Sequence, residues 1–269
     1  MSLELSLHTR PEVPLEAELL TPDMTLGMDS DAVSGMAIRH GNRQVTVGEF
    51  FKVKGKGEGQ LHLAGDLSRV KHLGSGMSSG SLYIHGDVGE HLGAGMSGGE
   101  IIIDGNAGDW VGPEMTGGSI VIKGNANHLA GSAYRGSAVG MTGGEIYIHG
   151  NVKNETGHGM RNGLIVIGGD SGDFTGVNML AGTIVVLGAM GIRSGASMKR
   201  GTIITMYPAE ILPTFSYDCD YNPVFLRLML RALQSQGFNV EDRHITGQYQ
   251  RWSGDSVELN RGEILIYKQ

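Results

Sequence analysis

The feature that most constrains this chain is an internal repeat with a period of nineteen positions. Seven methionines mark it, and neighbouring methionines are separated by one period except across a single interval that is longer by seven. They are Met77, Met96, Met115, Met141, Met160, Met179 and Met198. A fixed period of this length is the signature of an architecture of stacked repeats, so it predicts the fold class before any other feature does.

Glycine recurs at fixed positions inside the repeat. In the first six units it stands at the third, ninth and sixteenth positions after the methionine. These structural glycines are Gly80, Gly86, Gly93, Gly99, Gly105, Gly112, Gly118, Gly124, Gly131, Gly144, Gly150, Gly157, Gly163, Gly169, Gly176, Gly182, Gly188 and Gly195. Because glycine adopts positive φ at no steric cost, this pattern predicts a tight corner at each position.

Between the first two glycines of each unit, apolar residues recur at every second position, as at Ile101 and Ile103. Alternation predicts a short strand, and one repeat unit is too short for a strand–helix–strand crossover. The sequence therefore predicts an all-β fold, a right-handed parallel β-helix (solenoid) of about seven to eight coils stacked about 4.8 Å apart. Equivalent residues then form columns, and we predict that the methionines and one isoleucine column fill the core. The isoleucine column is Ile101, Ile120, Ile146, Ile165 and Ile184.

The repeat divides the chain into three predicted parts. Residues 1–44 are an N-terminal extension or cap, residues 45–207 the glycine-rich β-helix with its first strand at 45–54, and residues 208–269 a small C-terminal cap. The cap is predicted to contain one α-helix near 223–236, with Asn222 as N-cap and Gly237 as the stop, and a last strand at 263–267. The helix either covers the end of the stack or faces a partner, and we favour the covering role. Its predicted apolar face consists of Val224, Phe225, Leu228, Met229, Ala232 and Leu233.

Charge and composition narrow the functional classes. A net charge of −7 argues against nucleic acid and anionic membranes as partners. Because no apolar run approaches the length of a membrane span and no secretion signal is visible, we expect a cytoplasmic protein. The single cysteine, Cys219, excludes an internal disulfide and a cysteine-rich metal site.

Two columns of polar side chains are candidates for chemistry. His72 and His91 occupy equivalent positions in neighbouring units, and Trp110 has the same position in the next unit. The two histidines form either a shared metal site or a plain surface ladder. We favour the ladder because that column offers no third ligand. The second column, which consists of His85, Asp104, Lys123 and His149, predicts a ladder of charges between neighbouring strands. No nucleophile–base, phosphate-loop or metal motif occurs, so we expect no catalytic residue and no metal ligand on this chain.

The one long interval, from Met115 to Met141, contains the main local anomaly. Its extra residues, within 132–138, must leave the stack as a loop if the repeat is to resume in register at Met141. The segment contains Tyr134 and Arg135, residue types suited to a partner or an anionic ligand. The loop is therefore either a binding element or a tolerated bulge.

The motif G-x-x-M-x-x-G-x-I-x-I-x-G, the run Gly124-Asn125-Ala126, and Tyr134-Arg135-Gly136 followed by Gly140-Met141 resemble the C subunit of formylmethanofuran dehydrogenase. The same glycine-rich β-helix is similar to the C-terminal domain of the glutamate synthase large subunit. The resemblance covers residues 45–206 and implies a noncatalytic scaffold within an enzyme complex. It also implies that no cofactor binds this chain, and that a methanofuran-like carrier, tetrahydromethanopterin and a metal belong to companion subunits A, B and D.

The family has two branches. The archaeal branch consists of molybdenum or tungsten dehydrogenases, whereas the bacterial branch resembles a formyltransferase/hydrolase complex. In methylotrophs that complex moves a formyl group from tetrahydromethanopterin to a methanofuran-like carrier and releases formate. The stretches 212–219 and 222–225 resemble the bacterial branch, which we therefore favour. A structural domain of the glutamate synthase type and a stand-alone ligand-binding β-helix remain as alternatives.

Overall fold

The structure, a computed structural model, describes residues 2–268. It is mostly β, as predicted, with few helices. The strands are β1 (Leu3–Leu7), β2 (Leu15–Glu16), β3 (Ala37–His40), β4 (Arg43–Thr46), β5 (Phe51–Lys54), β6 (Gln60–Ala64), β7 (Val70–Lys71), β8 (Ser81–His85), β9 (Glu100–Ile103), β10 (Ser119–Ile122), β11 (Glu145–Ile148), β12 (Leu164–Ile167), β13 (Thr183–Val186), β14 (Arg200–Thr205), β15 (Ser216–Tyr221), β16 (Tyr249–Gly254) and β17 (Arg261–Tyr267). The helices are α1 (Ser30–Ser34), α2 (Val224–Ser235) and α3 (Asp242–Thr246), with a 3-10 turn at Val47–Glu49.

The repeat units build the centre of a 13-stranded sheet. Strands β6 and β8 to β14 lie side by side in chain order and pair in parallel. Each residue pairs with its equivalent in the next unit, so Ile101 is opposite Ile120, and Ile120 is opposite Ile146 across the longer interval. The predicted register therefore holds through the insertion. We call these strands, together with β17, the repeat stack.

One face of every stack strand points into a continuous core. The isoleucines of the predicted column are fully buried, and so are the seven repeat methionines. Small residues form a second ladder of parallel bridges that joins Val88 to Ala107 and Ala107 to Ala126. The interior is thus filled by columns of identical or similar side chains, which is how stacked repeats bury a core that no single unit possesses.

The glycines are required for two different reasons. Gly157 has a φ of +74°, and a Cβ there would lie 2.5 Å from Cδ1 of Ile184, so both conformation and space demand glycine. Gly124 has no positive φ, but a Cβ would lie 2.6 Å from Oδ1 of Asn106 in the preceding unit. The predicted corner with positive φ is therefore wrong for Gly124 and for its equivalents Gly105, Gly150, Gly169 and Gly188, where close approach of neighbouring units is the cause.

Both ends of the chain contribute strands to the sheet. β1 lies parallel to β6 and antiparallel to β5, while β17 pairs in parallel with β14 and is followed outward by β16 and β15. The segment 45–54, predicted as one strand, is divided by the 3-10 turn between β4 and β5. β4 belongs to a small second sheet of order β4-β3-β2-β7. Within residues 2–268, no helix combines the length and apolar character needed to cross a bilayer.

Helix α2 packs against the outer face of the sheet. Its buried residues are Leu226, Leu230 and Leu233, which join a second apolar cluster with Val185 and Ile204 of β13 and β14. The predicted apolar face is therefore only partly correct. Leu233 is buried and Met229 packs half-buried against the same cluster, but Val224, Phe225 and Leu228 point to solvent. The predicted N-cap is also displaced. Pro223 is the N-cap, and the Asn222 amide instead donates to the carbonyl oxygens of Thr246 and Gly247.

Candidate functional site

The insertion loop comprises residues 134–140, two positions later than the segment in which the sequence predicted the bulge. Ser132 and Ala133 are buried and keep repeat positions, since the Ala133 amide donates to the His158 carbonyl at 2.9 Å, as in neighbouring units. The Gly140 amide donates to the Gly159 carbonyl at 2.8 Å, which closes the loop beside Met141. The extra residues thus leave the stack after the hydrogen bond from Ala133 and return to it at the hydrogen bond from Gly140.

Tyr134 does not project into solvent but folds back onto the stack. Its hydroxyl lies 3.0 Å from Nδ1 of His91, and its backbone amide donates to Oε1 of Glu114 at 3.1 Å. Its ring centroid is 5.5 Å from that of His91 and 6.1 Å from that of Trp110. Burial, with a smaller contribution from the Glu114 carboxylate, raises the pKa of Tyr134 to about 12, so the phenol is neutral at physiological pH.

His72, His91 and Trp110 form the predicted ladder, which we call the corner ladder. The imidazole rings of His72 and His91 are stacked at 4.6 Å with an interplanar angle of 7°, and Trp110 follows at 5.2 Å and 17°. All three residues have positive φ, a conformation that costs a non-glycine residue about 1–2 kcal/mol. Burial and, to a smaller extent, the neighbouring His72 lower the pKa of His91, which favours the neutral form of its ring.

Arg135, the second predicted site residue, is exposed at the tip of the insertion loop. Its neighbours from Gly136 to Ala138 are exposed as well. The structure therefore separates the two predicted residues. Tyr134 anchors the loop on the corner ladder, and Arg135 presents its guanidinium to the surroundings.

The second predicted ladder is partly correct. His85 and Lys123 flank Asp104, with Nδ1 of His85 at 2.8 Å and Nζ of Lys123 at 2.6 Å from its two carboxylate oxygens. Hydrogen bonds from Lys123 and His85 hold the pKa of Asp104 below its usual value. His149 does not join this network, because its ring stacks on Phe238 at 4.2 Å. Sequence reasoning missed this contact, since the partner follows α2, far along the chain.

A third ladder, which sequence reasoning did not identify, runs along the outside of the small-residue column. The side-chain oxygen of each member accepts from the backbone amide one unit later, at 2.7–2.9 Å. The members are Asp87, Asn106, Asn125, Asn151 and Asp170. Recurrence of Asp or Asn at one repeat position was the available signal. Because these side chains are already bonded to the backbone, their arrangement fits structural support of the stack.

Among residues 2–268, no group of three or more His, Cys, Asp or Glu side chains is placed to hold a metal ion. The corner ladder contributes two histidines, and Tyr134 occupies the space beside the second of them. The geometry of the loop and ladder can bind, stack or position a surface.

The GXGXG motif family matches residues 70–155 and 100–227, and these ranges together span more than half of the chain. The chain belongs to the GXGXG motif family. It is also a homologue of the C subunit of formylmethanofuran dehydrogenase.

Curated relatives match segments of the chain. The C subunit of molybdenum-containing formylmethanofuran dehydrogenase 1 from Methanothermobacter marburgensis is 47% identical over 80 residues, 29% of this chain and 20% of that protein. The C subunit of tungsten-containing formylmethanofuran dehydrogenase 2 from Methanothermobacter thermautotrophicus is 40% identical over 89 residues, 31% of this chain and 33% of that protein. The C subunit of the formyltransferase/hydrolase complex Fhc from Methylorubrum extorquens is 35% identical over 87 residues, 32% and 33% of the two chains. The matched segments thus span between a fifth and a third of these relatives.

A solved structure matches this GXGXG chain over its whole length. It is a chain in the X-ray crystal structure of the formyltransferase/hydrolase complex (FhcABCD) from Methylorubrum extorquens in complex with methylofuran. The two chains superpose with a TM-score of 0.91 at 33% identity, over 99% of this chain and 100% of that one. The likeness therefore includes the terminal segments as well as the repeats.

Proposed function

We propose that this chain is the noncatalytic C subunit of a formyltransferase/hydrolase complex. In this role it supports companion subunits A, B and D, which transfer a formyl group from formyl-tetrahydromethanopterin to a methanofuran-like carrier and release formate. The observation that carries the proposal is the full-length match to a chain of the FhcABCD complex. We place the activity in cytoplasmic one-carbon metabolism of a methylotroph.

The proposed role depends on a rigid support, and we interpret the repeat stack as a right-handed parallel β-helix of seven to eight coils. The in-register pairs along β8 to β14 and the ladder of bridges from Leu67 to Ala126 support this interpretation. Right-handed winding is the strong preference for parallel connections. We keep residues 1–44 as an N-terminal cap, 45–207 as the β-helix and 208–269 as a C-terminal cap.

We assign the carrier, tetrahydromethanopterin and the metal to the companion subunits and no cofactor to this chain. Tyr134 and Arg135 are our candidates for contact with a companion or with the anionic part of a carrier. Tyr134 is held by the contact of its hydroxyl with His91 and by the hydrogen bond that its backbone amide donates to the Glu114 carboxylate, which fixes the start of the loop. Arg135 then offers a planar donor fork that suits carboxylates, at an exposed position.

A second candidate function is that of the C subunit in an archaeal molybdenum or tungsten formylmethanofuran dehydrogenase. The higher identity of the matched segments, 47% over 80 residues, favours it. The full-length superposition favours the bacterial type instead.

Purification of the tagged chain from its native host separates these possibilities. We expect four different subunits, formate release from the formylated carrier, and no molybdenum or tungsten by elemental analysis. Stoichiometric molybdenum or tungsten with electron transfer to a dye would identify the dehydrogenase instead. Turnover by the isolated chain, abolished by substitution of one of its own residues, would contradict the noncatalytic assignment.

The loop is tested by deleting residues 134–140, which joins Ala133 to Met141 and restores the regular repeat spacing. We expect the melting temperature to fall modestly, because the deletion removes the contacts of Tyr134 with His91 and Glu114, while assembly or carrier binding weakens. Arg135→Ala should reproduce part of that loss, whereas Arg193→Ala, an arginine held over the Phe174 ring, serves as the matched control. Unchanged assembly and carrier binding would make the loop a tolerated bulge.

A further inference from the structure

Helix α2 is apolar on two opposite sides, and only one of them is covered by this chain. The inner side buries Leu226, Leu230 and Leu233 against the sheet. On the outer side Val224 is 71%, Phe225 49% and Leu228 76% exposed. A helix with apolar residues on both sides is normally buried on both sides. The outer side of α2 therefore has the composition of a protein interface, but no other part of the chain within residues 2–268 covers it.

The charges on α2 itself are all of one sign. Arg227 and Arg231 lie one turn apart among the exposed residues of α2, and the helix contains no aspartate or glutamate. Arg227 is oriented by two hydrogen bonds to Oδ1 of Asn222, at 3.0 and 2.8 Å. In a chain with a net charge of −7, this apolar surface flanked by two guanidiniums is unusual. Such a surface fits a partner with carboxylates around an apolar groove.

We propose that the outer side of α2, defined by Val224, Phe225, Leu228 and the two arginines, docks into an apolar groove with an acidic rim on a companion subunit. Phe225 and Leu228 are three residues apart, so they enter the groove together, while Arg227 and Arg231 pair with carboxylates at its edge. The inner side keeps the helix fixed on β13 and β14, so the anchors reach the partner already ordered. This inference rests on the proposed function, since it takes the partner to be one of subunits A, B or D.

The test is assembly of the complex from this chain and companion subunits A, B and D of the same host. Leu228→Glu should lower incorporation of one companion at least tenfold while leaving the melting temperature of the free chain unchanged. Leu26→Glu is the matched control, because Leu26 is 63% exposed in the N-terminal segment and should tolerate the same substitution. Arg231→Glu should weaken assembly several-fold, and Arg231→Lys should retain most of it.

The partner's chemistry is tested in the assembled complex by hydroxyl-radical footprinting and cross-linking. Phe225 and Leu228 should be protected relative to the free chain. The lysine of Arg231→Lys should be joined by a zero-length carbodiimide to an aspartate or glutamate of that companion. A cross-link to a second copy of this chain, or normal assembly by both Leu228→Glu and Arg231→Glu, overturns the inference and leaves the proposed function standing. If the wild-type chain fails to assemble with subunits A, B and D, the proposed function itself falls and the docking partner with it.

Discussion

The two halves of the outer sheet face have the same strand geometry and different surroundings. At one outward position per strand, the first half carries Tyr83, Ile102 and Val121, which are half-buried at the surface. The same position in the second half carries residues that are buried. They are Tyr147, Val166, Val185, Ile204 and Leu265. The difference is the segment containing α2 and Phe238, which covers the second half and reaches the first only at its edge, where Val121 packs half-buried against the same cluster.

The burial of the inward isoleucine column does not depend on the C-terminal segment. Ile120 in the open half and Ile184 in the covered half are both fully buried. Each is enclosed by its own stack neighbours, so its burial is decided by the repeat. The burial of an outward residue is decided by a segment up to a hundred residues away in the chain. The comparison therefore separates stability that belongs to the repeat from stability that depends on the C-terminal segment.

The largest expected effect is equal in the two halves. Ile120→Ala and Ile184→Ala should each lower the free energy of unfolding by about 2–5 kcal/mol, the usual cost of a large-to-small change in a packed core. Chemical denaturation of both variants measures it. A loss confined to Ile184→Ala would mean that the inner column depends on the cover after all.

A matched pair of valines should show the asymmetry directly. Val185→Ala removes buried methyl groups beneath α2 and should cost about 1.5–3 kcal/mol, whereas Val121→Ala in the open half should cost less than about 1 kcal/mol. Both substitutions remove the same atoms from the same strand position. Equal losses in denaturant titrations would contradict the division into a covered and an open half.

These contrasts indicate what the sequence could predict. The regular period was sufficient for the strands, their register and the stacked rings of His72 and His91, because each follows from equivalence between units. The period was not sufficient to predict which side of α2 is buried, because the side with the leucines at 226, 230 and 233 and the opposite side are both apolar. Only the tertiary fold decides which side is buried.

The boundaries of the insertion loop were misjudged for a related reason. Nothing in the residue types at Ser132 and Ala133 distinguishes them from loop residues. What places them in the stack is backbone hydrogen bonding, such as that from Ala133 to His158. A pattern of side chains carries no direct record of such bonds.

The insertion loop covers a smaller area on another side of the stack. Tyr134→Phe should lower the free energy of unfolding slightly. The variant keeps the ring beside Trp110 but removes the hydroxyl contact to Nδ1 of His91. A single hydrogen bond of this kind contributes about 0.5–1.5 kcal/mol, so the loss should be smaller than that of Val185→Ala. Thermal melts compare this variant with Tyr83→Phe, which removes a hydroxyl in the open half of the sheet. A fall in melting temperature confined to Tyr134→Phe would show that the contact with His91 stabilises the protein.

The smallest expected effect concerns His149, which lies at the border of the covered half. Its ring stacks on Phe238, and burial, assisted by the charge of Lys123, lowers the pKa of His149 below 6.5. The unfolded chain, in which this histidine titrates near 6.5, therefore binds more protons than the folded chain just below that pH. The stability contributed by neutral His149 is complete above pH 6.5 and is lost as the pH falls toward the folded pKa.

Removing the cover should reverse this shift. Phe238→Ala exposes the His149 ring, so the pKa of His149 should rise toward 6.5 and its share of the acid destabilisation should disappear. Because the variant also loses packing, the comparison rests on how the free energy of unfolding changes between pH 7.5 and 5.5 and not on its absolute value. An NMR titration of the His149 ring proton measures the pKa itself. His91, whose pKa is lowered by burial on the corner ladder, is the internal control and should not move. If the pKa of His149 stays low without Phe238, the stack and Lys123 lower it by themselves, and the C-terminal segment does not bury the His149 ring.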